Sequence, residues 1–211
     1  HNPSPLITLN APENPASEAY RTLRTGLQFA ESAKNVHSVL ITSTGPQEGK
    51  STTSANLAAV IAQMGVKTLL IDADLRRPAL HKMFDQSNTP GLTDFLSKNG
   101  YFSGHFDLRE QQLAQFWDDF TQYVQPTDVE HLDLLPCGEP SRHPSEILAL
   151  QSISEFLSQL NEKYGFIVID APPVLAVTDA AILATKVDGA LLVIESGRNE
   201  LKIVKKALTH L

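Results

Sequence analysis

The chain has 211 residues, 42% hydrophobic and 19% charged, which suits one sizeable α/β domain and is short for two. Its formal net charge of -7 disfavours nucleic acid or anionic lipid as a non-specific partner, because either needs a dense Lys/Arg surface. Cys137 is the single cysteine, which excludes an intrachain disulfide or a multi-cysteine metal site built from one chain and fits a reducing cytoplasm.

No signal peptide is visible and no run of about 18 apolar residues occurs. The first 15 residues carry four prolines and little apolar periodicity, so residues 1–15 read as a linker and 16–211 as the domain. Ser17 can cap a helix running to about Lys34, with Ala16, Ala19, Tyr20, Leu23, Leu27 and Ala30 on one side. Glu18, Arg21 and Arg24, spaced by three, form a stripe on another. By itself such a stripe is a solvated face with a weak ion pair.

Val36 to Ile41 reads as a buried strand, Thr44 to Gly49 as a turn and Lys50 to Met64 as a helix. Thr68 to Ile71 then forms a second buried strand that ends in Asp72 and Asp74. A glycine-containing turn between strand and helix presents the first N–H groups of that helix to an anion. Gly49-Lys50-Ser51 adds an ammonium for the outer phosphates of a nucleotide and a hydroxyl for Mg²⁺. Thr44 stands where the usual G-x-x-x-x-G-K-[ST] pattern has its first glycine. The assignment of a triphosphate site therefore rests on context. Asp72 and Asp74, two apart at a strand end, point the same way if the strand persists, and Mg²⁺ takes oxygen ligands of this kind. Arg76 or Arg77 can stabilise phosphate charge, with Arg76 preferred.

Leu80 to Lys98 reads as mostly helical with a break at Pro90-Gly91. Further on, Leu113, Phe116, Trp117, Phe120 and Val124 fall at helical spacing, as expected of a helix covering the body; a docking surface is the sharper alternative. His131 to Pro136 is a short strand, Ser145 to about Tyr164 a helix, and Phe166 to Ile169 a buried strand delivering Asp170, which can organise Mg²⁺. Asp179 can cap the next helix, and Asp188 to Glu195 is another strand. Asn199 to Leu211 reads as a helix with no cap or closing strand, as expected of a piece of a longer protein. Strands alternating with helices imply a doubly wound, mostly parallel sheet with its ligand at the carboxyl ends of the strands.

Four motifs in order resemble the bacterial tyrosine kinases (BY-kinases) of capsule and exopolysaccharide synthesis: Glu18-x-x-Arg21-x-x-Arg24; Thr44-Gly45-Pro46-Gln47-Glu48-Gly49-Lys50-Ser51-Thr52; Leu69 to Pro78 with Asp72 and Asp74; and Ile167 to Pro173 with Asp170. The resemblance runs from about Ser17 to the end. It identifies the last three motifs as Walker A, A′ and B of a P-loop NTPase fold, and implies ATP/ADP and Mg²⁺ as cofactors and tyrosine phosphorylation as the activity. By the same resemblance, residues 45–52 bind the nucleotide and Lys50, Asp72 and Asp74 are catalytic. Asp72 takes the role of base, and Ser51, Asp74 and Asp170 that of metal ligands. The glutamate–arginine stripe then builds a ring-shaped homo-oligomer. The substrate is a tyrosine-rich tail on a neighbouring protomer; Tyr20, Tyr101, Tyr123 and Tyr164 form no such cluster. A membrane-embedded polysaccharide co-polymerase, fused or separate, is the implied activator and holds the domain at the inner face of the cell membrane. The rivals are a ParA/MinD-like positioning ATPase, which would carry a lysine where Gly45 stands, and a non-catalytic nucleotide-gated adaptor in polysaccharide export. An iron–sulfur carrier ATPase fails on the solitary cysteine.

Overall fold

Residues 5–34, 36–99 and 113–211 are described by the structure, a computed structural model. Tyr101 and the side chains of Ala30 and Leu113 lie outside what is described. Strands β1 (Ser38–Ser43), β2 (Thr68–Asp72) and β5 (Phe166–Asp170) are buried at every position, as expected of apolar runs covered on both faces. Together with β3 (Gln125–Pro126), β4 (Leu132–Leu135) and β6 (Gly189–Val193) they form a six-stranded sheet in the order β3-β4-β2-β5-β1-β6. Every pairing is parallel except that of β3 with β4, so the doubly wound, mostly parallel arrangement holds.

The sheet separates two apolar cores. Strand alternation sends Val39, Ile41, Leu70 and Val168 to one face and Leu40, Leu69, Ile71, Ile167 and Ile169 to the other. Helices α1 (Ile7–Asn10), α2 (Pro15–Lys34), α3 (Lys50–Ala62) and α4 (Leu80–Met83) cover the first face. The second is covered by α5 (Leu92–Lys98), α6 (Leu113–Phe120), α7 (Pro144–Ala149), α8 (Gln151–Leu160), α9 (Asp179–Ala184) and α10 (Leu201–Thr209). Each fully buried Leu, Ile or Val stabilises the fold by about 1.5–3 kcal/mol. The aromatic helix α6 covers the body: Phe116 and Phe120 are buried, and both meet the ring of Phe95 edge-on, at 5.6 and 5.2 Å between centroids.

Three expectations are corrected. The stretch read as a linker is anchored from Pro5 onward: Leu6 enters the core, Thr8 donates from its N–H and hydroxyl to Asn56 Oδ1 at 3.0 and 2.9 Å, and Asn56 Nδ2 donates to the Pro5 carbonyl at 2.7 Å. Prolines signalled a linker, but apolar Leu6 and a buried asparagine on α3 hold the segment down. Ser17 is not a cap. Asn14 Oδ1 accepts the Ala16 N–H at 2.9 Å, Pro15 opens α2, and the buried Ser17 hydroxyl donates to the Ile7 and Ala11 carbonyls. Ala16 and Ala19 are exposed, while Tyr20, Leu23 and Leu27 pack on the core. The single helix expected before β5 is broken at Leu150, whose extended backbone frees its carbonyl to accept Lys186 Nζ at 3.0 Å.

Candidate active site

The turn between β1 and α3 owes its shape to two residues with positive φ, Gln47 at 63° and Gly49 at 84°. Gly49 takes the left-handed conformation that opens α3, where a side chain would be strained. Glu48 is buried and organises the turn from behind. Its carboxylate accepts the Thr44 N–H at 3.0 Å, the Thr44 hydroxyl at 2.7 Å and Asn199 Nδ2 at 2.8 Å. Burial pushes the Glu48 carboxyl up, but the bonds from Thr44, Asn199 and the Gly45 and Thr44 backbone outweigh it and hold the group below its ordinary value. Thr44 thus serves where the usual pattern has glycine because its hydroxyl and N–H bind this internal carboxylate.

The first turn of α3 faces Asp170 at the end of β5. Ser51 Oγ donates to Asp170 Oδ2 at 2.6 Å, Lys50 Nζ donates to the same oxygen at 3.3 Å, and Ser54 Oγ donates to Oδ1 at 2.9 Å. Lys50 Nζ also lies 2.9 Å from Asp74 Oδ2. Burial opposes the ammonium charge, but the carboxylates of Asp170 and Asp74 outweigh it and hold the Lys50 pKa above its ordinary value. Lysine, serine and both carboxylates therefore converge.

Asp72 behaves differently. The β2–β5 register sets it beside Asp170, yet β2 ends there, the Ala73 N–H turns to the Asp170 carbonyl at 2.9 Å, and the two A′ carboxylates part company. Asp72 is fully buried, and its Oδ2 accepts the N–H groups of Ala79 and Leu80 at 3.0 Å each. Burial and the nearby Asp170 charge push its pKa up to about 7, against those two bonds. The expectation of a shared face is corrected: Asp72 lies beneath the site as a support for the A′ loop, and Asp74 faces Lys50.

A cleft of about 470 Å³ opens over these groups, lined by Pro46, Gln47, Gly49, Lys50, Ser51, Thr52, Asp74, Arg77, Ala79 and Pro173. Gly45 and Glu48 shape the turn without lining the cleft, and Asp170 forms its floor beneath Lys50 and Ser51. The volume falls within the range of small-molecule sites. The donor set fits a magnesium-bound nucleotide: an exposed helix N-terminus, an ammonium, a hydroxyl and carboxylates gathered at one carboxyl edge of the sheet. Ser54 and Asn199 are site residues that motif reading passed over. Ser54 was legible as a hydroxyl three residues beyond Ser51, whereas Asn199 carries no sequence signal.

Arg76, the preferred phosphate ligand, is committed elsewhere. Its Nε and Nη2 donate to Asp179 Oδ2 and Oδ1 at 3.0 and 3.3 Å, and Nη2 also reaches Ser145 Oγ at 3.2 Å. Asp179, fully buried, is the first residue of α9 and not its cap. In the stripe on α2, Glu18 and Arg21 pair with each other near the surface, while Arg24 Nη1 donates to the Val60 carbonyl at 3.1 Å in the last turn of α3.

A family model described as an AAA domain matches residues 45–208. The chain is 41% identical over 202 residues to the tyrosine-protein kinase YwqD of Bacillus subtilis, spanning 96% of this chain and 78% of that protein. It is 35% identical over 204 residues to the putative tyrosine-protein kinase CapB of Staphylococcus aureus, spanning 97% and 82%. The kinase domain of the Escherichia coli tyrosine kinase ETK superimposes with a TM-score of 0.82 at 33% identity, covering 97% of this chain and 73% of that one. With a doubly wound sheet, a lysine-bearing loop at its carboxyl edge and these relatives, the chain belongs to the bacterial tyrosine-protein kinases.

Proposed function

We propose that the cleft binds ATP with Mg²⁺ and that the chain transfers a phosphoryl group to tyrosine hydroxyls in the service of capsular or exopolysaccharide synthesis and export. The observation that carries this reading is the position of Lys50 Nζ, 2.9 Å from Asp74 and 3.3 Å from Asp170, with Ser51 Oγ 2.6 Å from Asp170. Bound magnesium and ATP supply the transferable group and the positive charge that its oxygens require. The turn from Gly45 to Thr52 encloses the phosphates through its N–H groups, and Lys50 holds the outer ones. Ser51 is the metal-side hydroxyl, oriented by Asp170. Of the two A′ carboxylates, Asp74 lines the cleft, so Asp74 Oδ2 is the atom we assign to receive the phenol proton. Asp72 then keeps the loop in place. Positioning of this kind can lower a barrier by about 7–11 kcal/mol, which suits a poor nucleophile such as a phenol.

The acceptor phenols belong to a tyrosine-rich tail on a neighbouring copy. Tyr123 and Tyr164 of this chain are buried, and the Tyr164 hydroxyl donates to Asp133 Oδ2 at 2.9 Å, so neither suits the role. Self-association runs through Glu18 and Arg21, which remain near the surface. A membrane-embedded co-polymerase holds the domain at the inner face of the cell membrane; among the described residues no helix is long and apolar enough to cross one.

Incubating the full-length protein with ATP and Mg²⁺ and mapping phosphotyrosine by mass spectrometry tests the reading. Phosphate on tyrosine is the expected result. ATP hydrolysis with no tyrosine modified would instead indicate a positioning ATPase.

A further inference from the structure

Arg76 and Arg77 are neighbours in sequence with opposite fates. The Arg76 guanidinium forms a two-pronged pair with the fully buried Asp179 and a third bond to Ser145, so withdrawing it would strand a buried charge. Among the described residues Arg77 is held only by its backbone: its N–H donates to Asp74 Oδ1 at 3.0 Å, and also lies 3.2 Å from the Asp74 carbonyl. That turn places its side chain on the wall of the cleft, with Lys50, Ser51 and Asp74. The guanidinium is exposed and pairs with no carboxylate among the described residues.

The charges of the cleft need such a group. Lys50 is already within 3.3 Å of two carboxylates, Asp74 and Asp170, so its single positive charge is more than balanced before any ligand arrives. A triphosphate carrying one magnesium ion still brings net negative charge. A planar guanidinium with a fork of donors matches phosphoryl oxygens better than a point charge does. The N-terminus of α3 serves the phosphates nearest the loop, whereas Arg77 stands on the A′ loop beside Asp74, where we place the receiving atom for the phenol proton.

We propose that Arg77 is the second cation of the cleft and contacts the terminal phosphate of a bound nucleoside triphosphate, with Arg76 confined to holding the A′ loop on α9. The inference rests on the nucleotide reading of the site and extends it by one residue.

Isothermal titration of the full-length protein with Mg-ADP and with a non-hydrolysable Mg-ATP analogue tests it, using Arg77→Ala, Arg77→Lys and Arg76→Ala. Loss of a charge-assisted contact should weaken the triphosphate by about 10- to 100-fold in Arg77→Ala and leave the diphosphate within about 3-fold. Arg77→Lys should recover part of the loss, because charge returns without the fork. Arg76→Ala should melt at a lower temperature and keep the ratio of triphosphate to diphosphate affinity. Equal weakening of both nucleotides in Arg77→Ala, or of neither, overturns the proposal. If that occurs while Lys50→Met still abolishes tyrosine phosphorylation, the kinase reading stands without it. If the unsubstituted protein binds neither nucleotide, both fall.

Discussion

Ser51 Oγ donates to Asp170 Oδ2 at 2.6 Å, and that oxygen also takes Lys50 Nζ at 3.3 Å. One carboxylate at the end of β5 therefore orients the hydroxyl and the ammonium that a magnesium-bound nucleotide needs, with Ser54 holding its other oxygen. Asp170→Asn places an amide N–H among three donors that require an acceptor. Tyrosine phosphorylation should fall by about 100-fold or more, the size expected for losing such electrostatic support, and half-maximal rate should require more Mg²⁺. A magnesium titration of the phosphorylation rate reads both effects.

Asp72 provides a pH test of the nucleotide-free protein. Its folded pKa is raised from 3.8 to about 7, so its contribution to stability is complete below the unfolded value and is lost as pH rises through about 7. Asp72→Asn keeps an acceptor for the N–H groups of Ala79 and Leu80 without the buried charge. The variant should melt at a higher temperature than the parent at pH 8, and the difference should shrink steadily as pH falls from about 7 toward the unfolded value of 3.8. A variant less stable than the parent at pH 8 would show that the ionised carboxylate is net favourable in the fold.

The stripe on α2 divides by role. Arg24 caps the end of α3 through the Val60 carbonyl, so Arg24→Ala should cost about 1 kcal/mol in thermal unfolding. Glu18→Ala with Arg21→Ala should change stability by less than about 0.5 kcal/mol, as surface substitutions do. The double variant should nevertheless shift the sedimentation coefficient toward the monomer. An unaltered sedimentation profile would remove these two residues from the interface.

The helix α6 supplies a packing test. Phe120 is buried, edge-on to Phe95 and stacked at 5.8 Å on Phe116. Phe120→Ala should destabilise the domain by about 3–5 kcal/mol by chemical denaturation. A loss under 1 kcal/mol would favour a docking role for this helix over a covering one.

Much of this architecture is legible in the chain. The runs at β1, β2 and β5 lack alternation because both faces are covered, and Gly49-Lys50-Ser51 marks the junction of strand and helix. What escapes is decided by backbone path. Asp72 and Asp74 look equivalent until the strand ends and the chain turns toward Asp170, which sets one beneath the A′ loop and turns the other toward Lys50. Arg76 and Arg77 are indistinguishable until a buried aspartate about a hundred positions later claims one of them. Leu6 and Thr8 were hidden by the prolines around them, since composition does not reveal that Asn56 waits on α3 to receive the segment.

Lys50 is the residue on which these relationships meet, and its replacement is the most direct measurement. Lys50→Met removes the ammonium and retains an unbranched side chain in the first turn of α3. Phosphotyrosine formation by the full-length protein with ATP and Mg²⁺ should drop to background while the fold, followed by circular dichroism, persists. Undiminished phosphorylation in that variant would contradict the site described here.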